Sequence, residues 1–205
     1  MLVASPGMAI RRLVVSNCGL DAAALLALAG AHWPLEELDI GHNDFSAAAA
    51  GPALAALSRH AGLLRLDVSM CSLSPANFKA IIEGTWPALT SLTATEACTG
   101  DMGDRALDFS AASFAGFPKL EALNMASVKL GEEGARALAS RRWSHLRMLN
   151  MNKTRLQERG WATIARGEWP ALQQLSLTSF DVPGIFTLDD ARRWAPALLE
   201  LHRPY

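Results

Sequence analysis

Five histidines and several paired carboxylates are the side chains of this sequence that could carry out acid–base chemistry. The histidines (His32, His42, His60, His145 and His202) are scattered along the chain, and we predict that they are surface residues. The pairs Glu132-Glu133 and Asp189-Asp190 fall in the first turns of predicted helices, where carboxylates favour the helix dipole. The sequence has no GxSxG, P-loop, HExxH or glycine-rich dinucleotide motif. We therefore predict a protein that is not an enzyme, with no catalytic residue and no cofactor.

The segment 99–111 contains the residues that most resemble a metal site. Its aspartates Asp101, Asp104 and Asp108 lie within eight residues, but their spacing does not match an EF-hand loop. Glycine-rich acidic turns are common on protein surfaces. We therefore predict a surface insertion and no metal ion.

Cysteine content and charge restrict the cellular setting. Cys18, Cys71 and Cys98 are odd in number and have no CxxC spacing, which favours reduced thiols. The N-terminus lacks the features of a secretory signal, and no apolar run is long enough to span a bilayer. A net charge of −1 does not favour nucleic acid or a membrane surface as the partner. We expect an intracellular protein, located in the cytoplasm.

A repeat of 25 to 31 residues organises the chain and must position all of these side chains. The first and fourth positions of the repeat are Leu or Ile in all eight copies, and the sixth position is apolar in seven. The eighth copy is truncated. The copies begin at Ile10, Leu35, Leu63, Leu89, Leu120, Leu146, Leu172 and Leu198.

Each repeat is predicted to contain a short strand followed by a helix. Period-2 spacing places the fourth and sixth side chains on one face of a strand. Plausible N-caps follow at Asp21, Ser46, Ser74 and Thr187. One strand–helix unit cannot bury its apolar face alone, so the units must stack on one another.

The repeat resembles the pattern LxxLxLxx(N/C)xL of the leucine-rich-repeat family from about Ile10 to Leu201. The repeat length and the tail 130–139 are similar to the ribonuclease-inhibitor-like and cysteine-containing subfamilies. The resemblance implies an α/β solenoid shaped as a horseshoe, with about seven full repeats and a truncated eighth. It implies a parallel sheet on the concave side and helices on the convex side, in a single domain over 1–205.

Two further positions recur within the repeat. The ninth, where the family carries Asn or Cys, is Cys18, Asn43 and Cys71 in the first three copies, and Thr154 could partly substitute. Ala97, Val128 and Phe180 cannot make the same side-chain hydrogen bond, so the backbone groups of their turns must be satisfied differently.

An aromatic residue recurs just before the strands, and proline usually follows it. This recurrence indicates a role in the core for Trp33, Trp86, Phe117, Trp143 and Trp169.

Side chains between the buried strand positions are predicted to point outward from the concave sheet. This surface is small and polar, so it does not indicate very tight binding. A hydrated face without a partner is an equally weighted alternative. The predicted partner-binding residues are Arg12, Glu37, Asp39, Arg65, Asp67, Asn124, Met148, Asn150, Asn152 and Gln174.

Three functions are compatible with the sequence. The leading one is a non-catalytic protein–protein interaction module that binds through its concave face or the 99–111 insertion. The second is a structural subunit of a large multiprotein assembly, whose solenoid ends or convex side are buried by its neighbours. The third is a regulator resembling the small-GTPase activators of the same family, although we find no matching residues for it.

Overall fold

Eight short strands form one parallel sheet in the computed structural model, which describes residues 9–98, 114–178 and 187–202. Each strand pairs with the next along the chain, in the order β1 to β8. The predicted α/β class is confirmed, and the strand–helix units stack as in a solenoid. The strands are β1 (Arg12–Val14), β2 (Glu37–Asp39), β3 (Arg65–Asp67), β4 (Ser91–Thr93), β5 (Ala122–Asn124), β6 (Met148–Asn150), β7 (Gln174–Ser176) and β8 (Glu200–His202).

Helices alternate with the strands, and neighbouring helices pack side by side. Short 3-10 helices cover Leu57–Arg59 and Phe114–Gly116. In the part of the chain that is described, no helix has the length and apolar character needed to cross a membrane. The α-helices are α1 (Ala22–Gly30), α2 (Ala50–Ala56), α3 (Pro75–Ile82), α4 (Gly131–Ala139), α5 (Glu158–Ile164) and α6 (Leu188–Arg192).

The register of the sheet follows the repeat without a slip. Leu38 pairs with Leu66, Leu66 with Leu92, and so on, so that each fourth position faces another fourth position. These central leucines are buried in β2 to β7 and join the buried residues of the helices in one continuous core. The third and fifth positions of all eight strands therefore form straight rows across the sheet.

Three of the four predicted helix caps are confirmed. The side chain of Asp21 accepts a hydrogen bond from the Ala24 N–H, and that of Ser74 accepts one from the Asn77 N–H. Thr187 forms a reciprocal capping box with Asp190. These side chains satisfy N–H groups that the first helical turn leaves unpaired.

The predicted cap at Ser46 is wrong, because α2 begins only at Ala50 and has no side-chain cap. The buried side chain of Asn77, in the next repeat, donates hydrogen bonds to the carbonyls of Phe45 (2.7 Å) and Ala47 (2.8 Å). These bonds hold the segment before α2 as a loop, so the helix starts four residues later than Ser46.

The turn after each strand has the same backbone conformation from repeat to repeat. The eighth repeat position is left-handed in six copies, with φ between 50° and 61° at Asn17, His42, Met70, Glu96, Ser127 and Lys153. A left-handed residue other than glycine costs roughly 1–2 kcal/mol. Hydrogen bonds around the turn must offset this cost, and the ninth position supplies several of them.

Asn43 makes the most extensive of these ninth-position contacts. Its Oδ1 accepts hydrogen bonds from the N–H groups of Cys18 (3.1 Å) and Leu20 (2.9 Å) in the preceding repeat. Its Nδ2 donates to the carbonyls of Val15 (3.0 Å) and Ile40 (2.8 Å). Asn43 is buried and ties two successive turns together.

The other ninth positions follow the predictions from the sequence. The Cys71 thiol donates to the Ile40 carbonyl at 3.2 Å, and the Thr154 hydroxyl donates to the Met151 carbonyl at 2.9 Å. Ala97 and Val128 are fully buried, and their turns are closed by their own backbone N–H groups, which donate to carbonyls three residues earlier. Phe180 and the insertion 99–111 lie outside the described residues.

Aromatic side chains line the core along the side where the helices end. The indole N–H groups of Trp86, Trp143 and Trp169 each donate to a carbonyl five residues earlier, at 2.8–2.9 Å. The rings also contact one another from repeat to repeat; Trp143 and Trp169 stack with 6.2 Å between their centroids. These contacts confirm the core role predicted for the aromatic residues.

Candidate binding surface

The candidate site is one face of the sheet, which we call the open face: the third and fifth positions of β1 to β8. These side chains are exposed or half-buried, whereas the central residue of every strand from β2 to β7 is buried. The register brings the predicted residues into adjacent places. Arg12, Glu37 and Arg65 lie in one row, and Asp39 and Asp67 pair directly in the other.

Charged side chains occupy the half of the open face formed by β1 to β3. Glu37 lies between two arginines: one of its oxygens is 3.4 Å from Arg12 Nε and the other is 2.7 Å from Arg65 Nη1. All three side chains are substantially exposed, so these ion pairs add little to stability. The two guanidinium groups lie beside the row of aspartates. A shallow depression of about 180 Å³ lies among these residues.

The fifth-position side chains also have a structural role that was not predicted from the sequence. Oδ1 of Asp39 and of Asp67 accepts a hydrogen bond from the N–H two residues later, at 2.9 and 2.8 Å. Asn124 and Asn150 make the same contact at 3.1 and 3.0 Å. Asp and Asn are the residues that form such Asx turns, so residue type alone could have indicated this role. One polar atom of each side chain remains for a partner.

Amide and thioether side chains occupy the other half of the open face, on β5 to β7. Met148 is 47 % exposed, and it shares a shallow depression of about 230 Å³ with Asn124, Asn150 and Gln174. Gln174 Nε2 donates to Glu200 Oε2 at 3.1 Å, so Glu200 extends this half onto β8. Met148 is the most prominent apolar side chain of this half.

Asn152 differs from the other predicted binding residues. It follows β6 at the seventh repeat position, and its backbone N–H is bonded to Asn150 Oδ1. Its own Oδ1 is buried and has no hydrogen-bond partner among the described residues. Asn152 therefore belongs to the turn beside the open face rather than to the rows of strand side chains.

Groups that could support catalysis or metal binding are sparse on the described residues. No cluster of three or more metal-binding side chains occurs in ranges 9–98, 114–178 and 187–202. His202 Nε2 lies 3.0 Å from Glu200 Oε2 on the open face, where both side chains are largely exposed. The prediction that the histidines are surface residues is wrong for His60, which is buried.

The three cysteines are free and differ in their surroundings. Burial raises the pKa of the Cys71 thiol to about 12 and that of the Cys98 thiol to about 12, whereas Cys18 is exposed. Thiolate is the reactive form, so burial suppresses the chemistry of the two inner thiols.

We therefore expect one fast and two slow thiols when the folded protein reacts with Ellman's reagent at pH 8. Cys71 and Cys98 should react about 100-fold more slowly than Cys18, or slower still, because both are rarely ionised and Cys71 is also buried. Denaturant should make all three thiols equally fast. Cys18→Ser should remove the fast phase, and a second fast thiol in that variant would contradict the burial of the inner pair.

The sequence matches no protein-family model, and a search of curated proteins gives no significant match.

Proposed function

We propose that this chain is a leucine-rich-repeat solenoid that binds a protein partner through its open face and does not itself catalyse a reaction. The observation that carries the proposal is the asymmetry of the sheet, which is buried on one side and presents straight rows of mostly polar side chains on the other. The horseshoe curvature, with the open face on its concave side, is part of the proposal. The contacts of Asn43 and Cys71 at the ninth position support the ribonuclease-inhibitor-like or cysteine-containing subfamily. The three free cysteines support an intracellular location, in the cytoplasm.

The open face is preorganised for binding. Asp39, Asp67, Asn124 and Asn150 are held by their Asx turns, and Glu37 lies between Arg12 and Arg65. Side chains that are already ordered lose less conformational entropy when a partner docks. The fifth-position side chains, such as Asp39, Thr93 and Asn124, are short and leave room for the partner's own side chains beside the longer third-position row.

The chemistry of the face favours a protein partner of mixed polarity. The half on β1 to β3 presents both guanidinium groups and carboxylates, and the half on β5 to β7 presents amides around Met148. Protein interfaces combine a small apolar or arginine-rich centre with a polar surround. We therefore expect Met148, Arg12 and Arg65 to make the principal contacts.

Site-specific photo-crosslinking in cells tests the proposal. A photoreactive phenylalanine analogue at Met148 should crosslink the same partner as the analogue at Arg65, because both positions lie on the open face. The matched control is Leu26 on α1, which is 52 % exposed and apolar but lies on a helix. The analogue at Leu26 should not crosslink this partner.

Charge variants of the open face then measure its contribution. Arg65→Gln combined with Asp67→Asn removes two charges, while the introduced asparagine amide retains the acceptor that the turn needs. We expect about 10-fold weaker binding of the crosslinked partner, without a change in melting temperature. Unchanged affinity, together with crosslinks from Leu26 and not from Met148, would assign binding to the helices.

A structural subunit of a larger assembly is a second candidate. Two apolar side chains at the edges of the sheet favour it: Val14 on β1 is 54 % exposed, and Leu199 beside β8 is 65 % exposed. A permanent neighbour would cover them. The endogenous protein would then elute far above 22.0 kDa with constant companions, whereas an interaction module would also be found free. The third alternative, a regulator like the small-GTPase activators, has no matching residues to support it.

A further inference from the structure

One of the recurring tryptophans lacks the hydrogen bond that its counterparts make. Trp86, Trp143 and Trp169 donate their indole N–H to the carbonyl five residues earlier, at the end of the preceding helix. Trp33 occupies the same place in the repeat, and the corresponding carbonyl is that of Leu28. Trp33 is 8 % exposed, yet its indole N–H has no partner among the described residues.

The carbonyl of Leu28 is already used by other donors. It accepts hydrogen bonds from the Ala31 N–H at 3.1 Å and from His60 Nε2 at 3.0 Å. His60 belongs to the next repeat, and its ring is buried against the end of α1. The carbonyl has two lone pairs, so His60 has taken the acceptor that Trp33 would otherwise use.

A cleft of about 550 Å³ opens beside Trp33, between the ends of the first two repeats. The cleft is open to solvent, and its volume falls within the range of small-molecule sites. Alanine, proline and leucine side chains supply apolar walls, while Arg59 and His32 bring exposed donors. The one carboxylate of the lining, Glu36, is ion-paired with Arg11. The residues lining the cleft are 29–36 and 59–62.

We propose that this cleft binds a carboxylate carried on a compact apolar body. One carboxylate oxygen accepts the indole N–H of Trp33, and the other accepts the guanidinium of Arg59. The indole nitrogen is covered in the free protein, so the proposal includes a turn of the Trp33 ring toward the cleft when the ligand binds. One neutral donor and one cation match a single negative charge, whereas a phosphate brings greater charge and needs more donors. This site uses residues separate from the open face, so it stands or falls independently of the proposed function.

Proton–nitrogen correlation spectra of the six tryptophan indoles test the proposal with sodium benzoate as the probe. Benzoate should shift the Trp33 indole signal in a saturable manner, since that N–H gains an acceptor. The Trp161 signal should not move, because Trp161 does not line the cleft, although its N–H also lacks a partner among the residues described. Trp33→Phe identifies the signal, or contacts to the His60 ring identify it if that variant does not fold.

Three comparisons decide whether the ligand chemistry is correct. Arg59→Gln changes only an exposed side chain and should weaken benzoate binding about 10-fold, whereas Arg166→Gln should have no effect. Benzamide, which has the same shape without the charge, should also bind about 10-fold more weakly. No movement of the Trp33 signal, equal binding to the Arg59→Gln variant, or binding of inorganic phosphate as tight as that of benzoate would each overturn the proposal.

Discussion

Replacing Asn43 by alanine is expected to lower the free energy of unfolding by about 3 kcal/mol. The substitution removes the acceptor for two backbone N–H groups of the first repeat and the donor to carbonyls of the first two repeats. Asn43 is 3 % exposed, so water replaces these bonds only in part. Backbone groups left buried without a partner account for most of the loss. Urea denaturation followed by circular dichroism measures the effect.

Cys18→Ala is the matched control, because Cys18 occupies the same ninth position in the first repeat. Its side chain is exposed and, within the described part of the chain, bonds only the carbonyl of Ser16, two residues earlier in its own turn. We expect a change of less than about 1 kcal/mol. If the two alanine variants were equally stable, Asn43 would not be holding the first two repeats together.

The Trp143→Ala substitution is expected to cost about 4 kcal/mol of unfolding free energy, the largest effect that we predict. Trp143 is 1 % exposed and packs between Phe114 and Trp169, with centroid distances of 5.8 and 6.2 Å. Its indole N–H donates to the Leu138 carbonyl, and Arg141 lies 4.5 Å above the ring. Alanine would leave a cavity, an unpaired carbonyl and two separated aromatic groups. A small domain has about 5–15 kcal/mol in total, so heating should show a much lower melting temperature.

Trp143→Phe separates packing from hydrogen bonding. Phenylalanine keeps an aromatic ring between the two neighbours but cannot donate to Leu138, so we expect a loss of about 1–2 kcal/mol. The natural Phe117, at the same place in the previous repeat, is fully buried and shows that a phenyl ring fits there. A phenylalanine variant as unstable as the alanine variant would mean that the indole hydrogen bond, and not ring packing, dominates.

The register of the sheet was predictable because a single local rule generates it. Leucine at the fourth position and an apolar residue at the sixth recur in each full copy, so each strand of the sheet lies where the repeat places it. The caps at Asp21, Ser74 and Thr187 were predictable for the same reason, since capping depends on residues only three apart. The residues of the open face followed from alternation along the strands.

Contacts between repeats could not be predicted from the repeat pattern. The start of α2 depends on Asn77, some 30 residues away, and the burial of His60 depends on the Leu28 carbonyl, 32 residues away. Neither pair has a signature in a single sequence. The Asx turns at Asp39 and Asp67 are local, but alternation along the strand predicts only that these side chains point outward. The repeat pattern does not tell whether a partner uses the open face, so binding at this face stays a prediction.

The order of the strands determines how the molecule unfolds. Each inner strand is hydrogen-bonded only to the strand before it and the strand after it, so a repeat is stabilised by its immediate neighbours. The stability of such a chain is approximately the sum of a contribution from each repeat and a contribution from each interface between neighbours. A break at any interior unit leaves two shorter stacks, each of which keeps its own internal couplings. Loss of structure can then begin at β1 or β8 and travel inward one unit at a time, with backbone amides in the central strands the last to exchange with solvent.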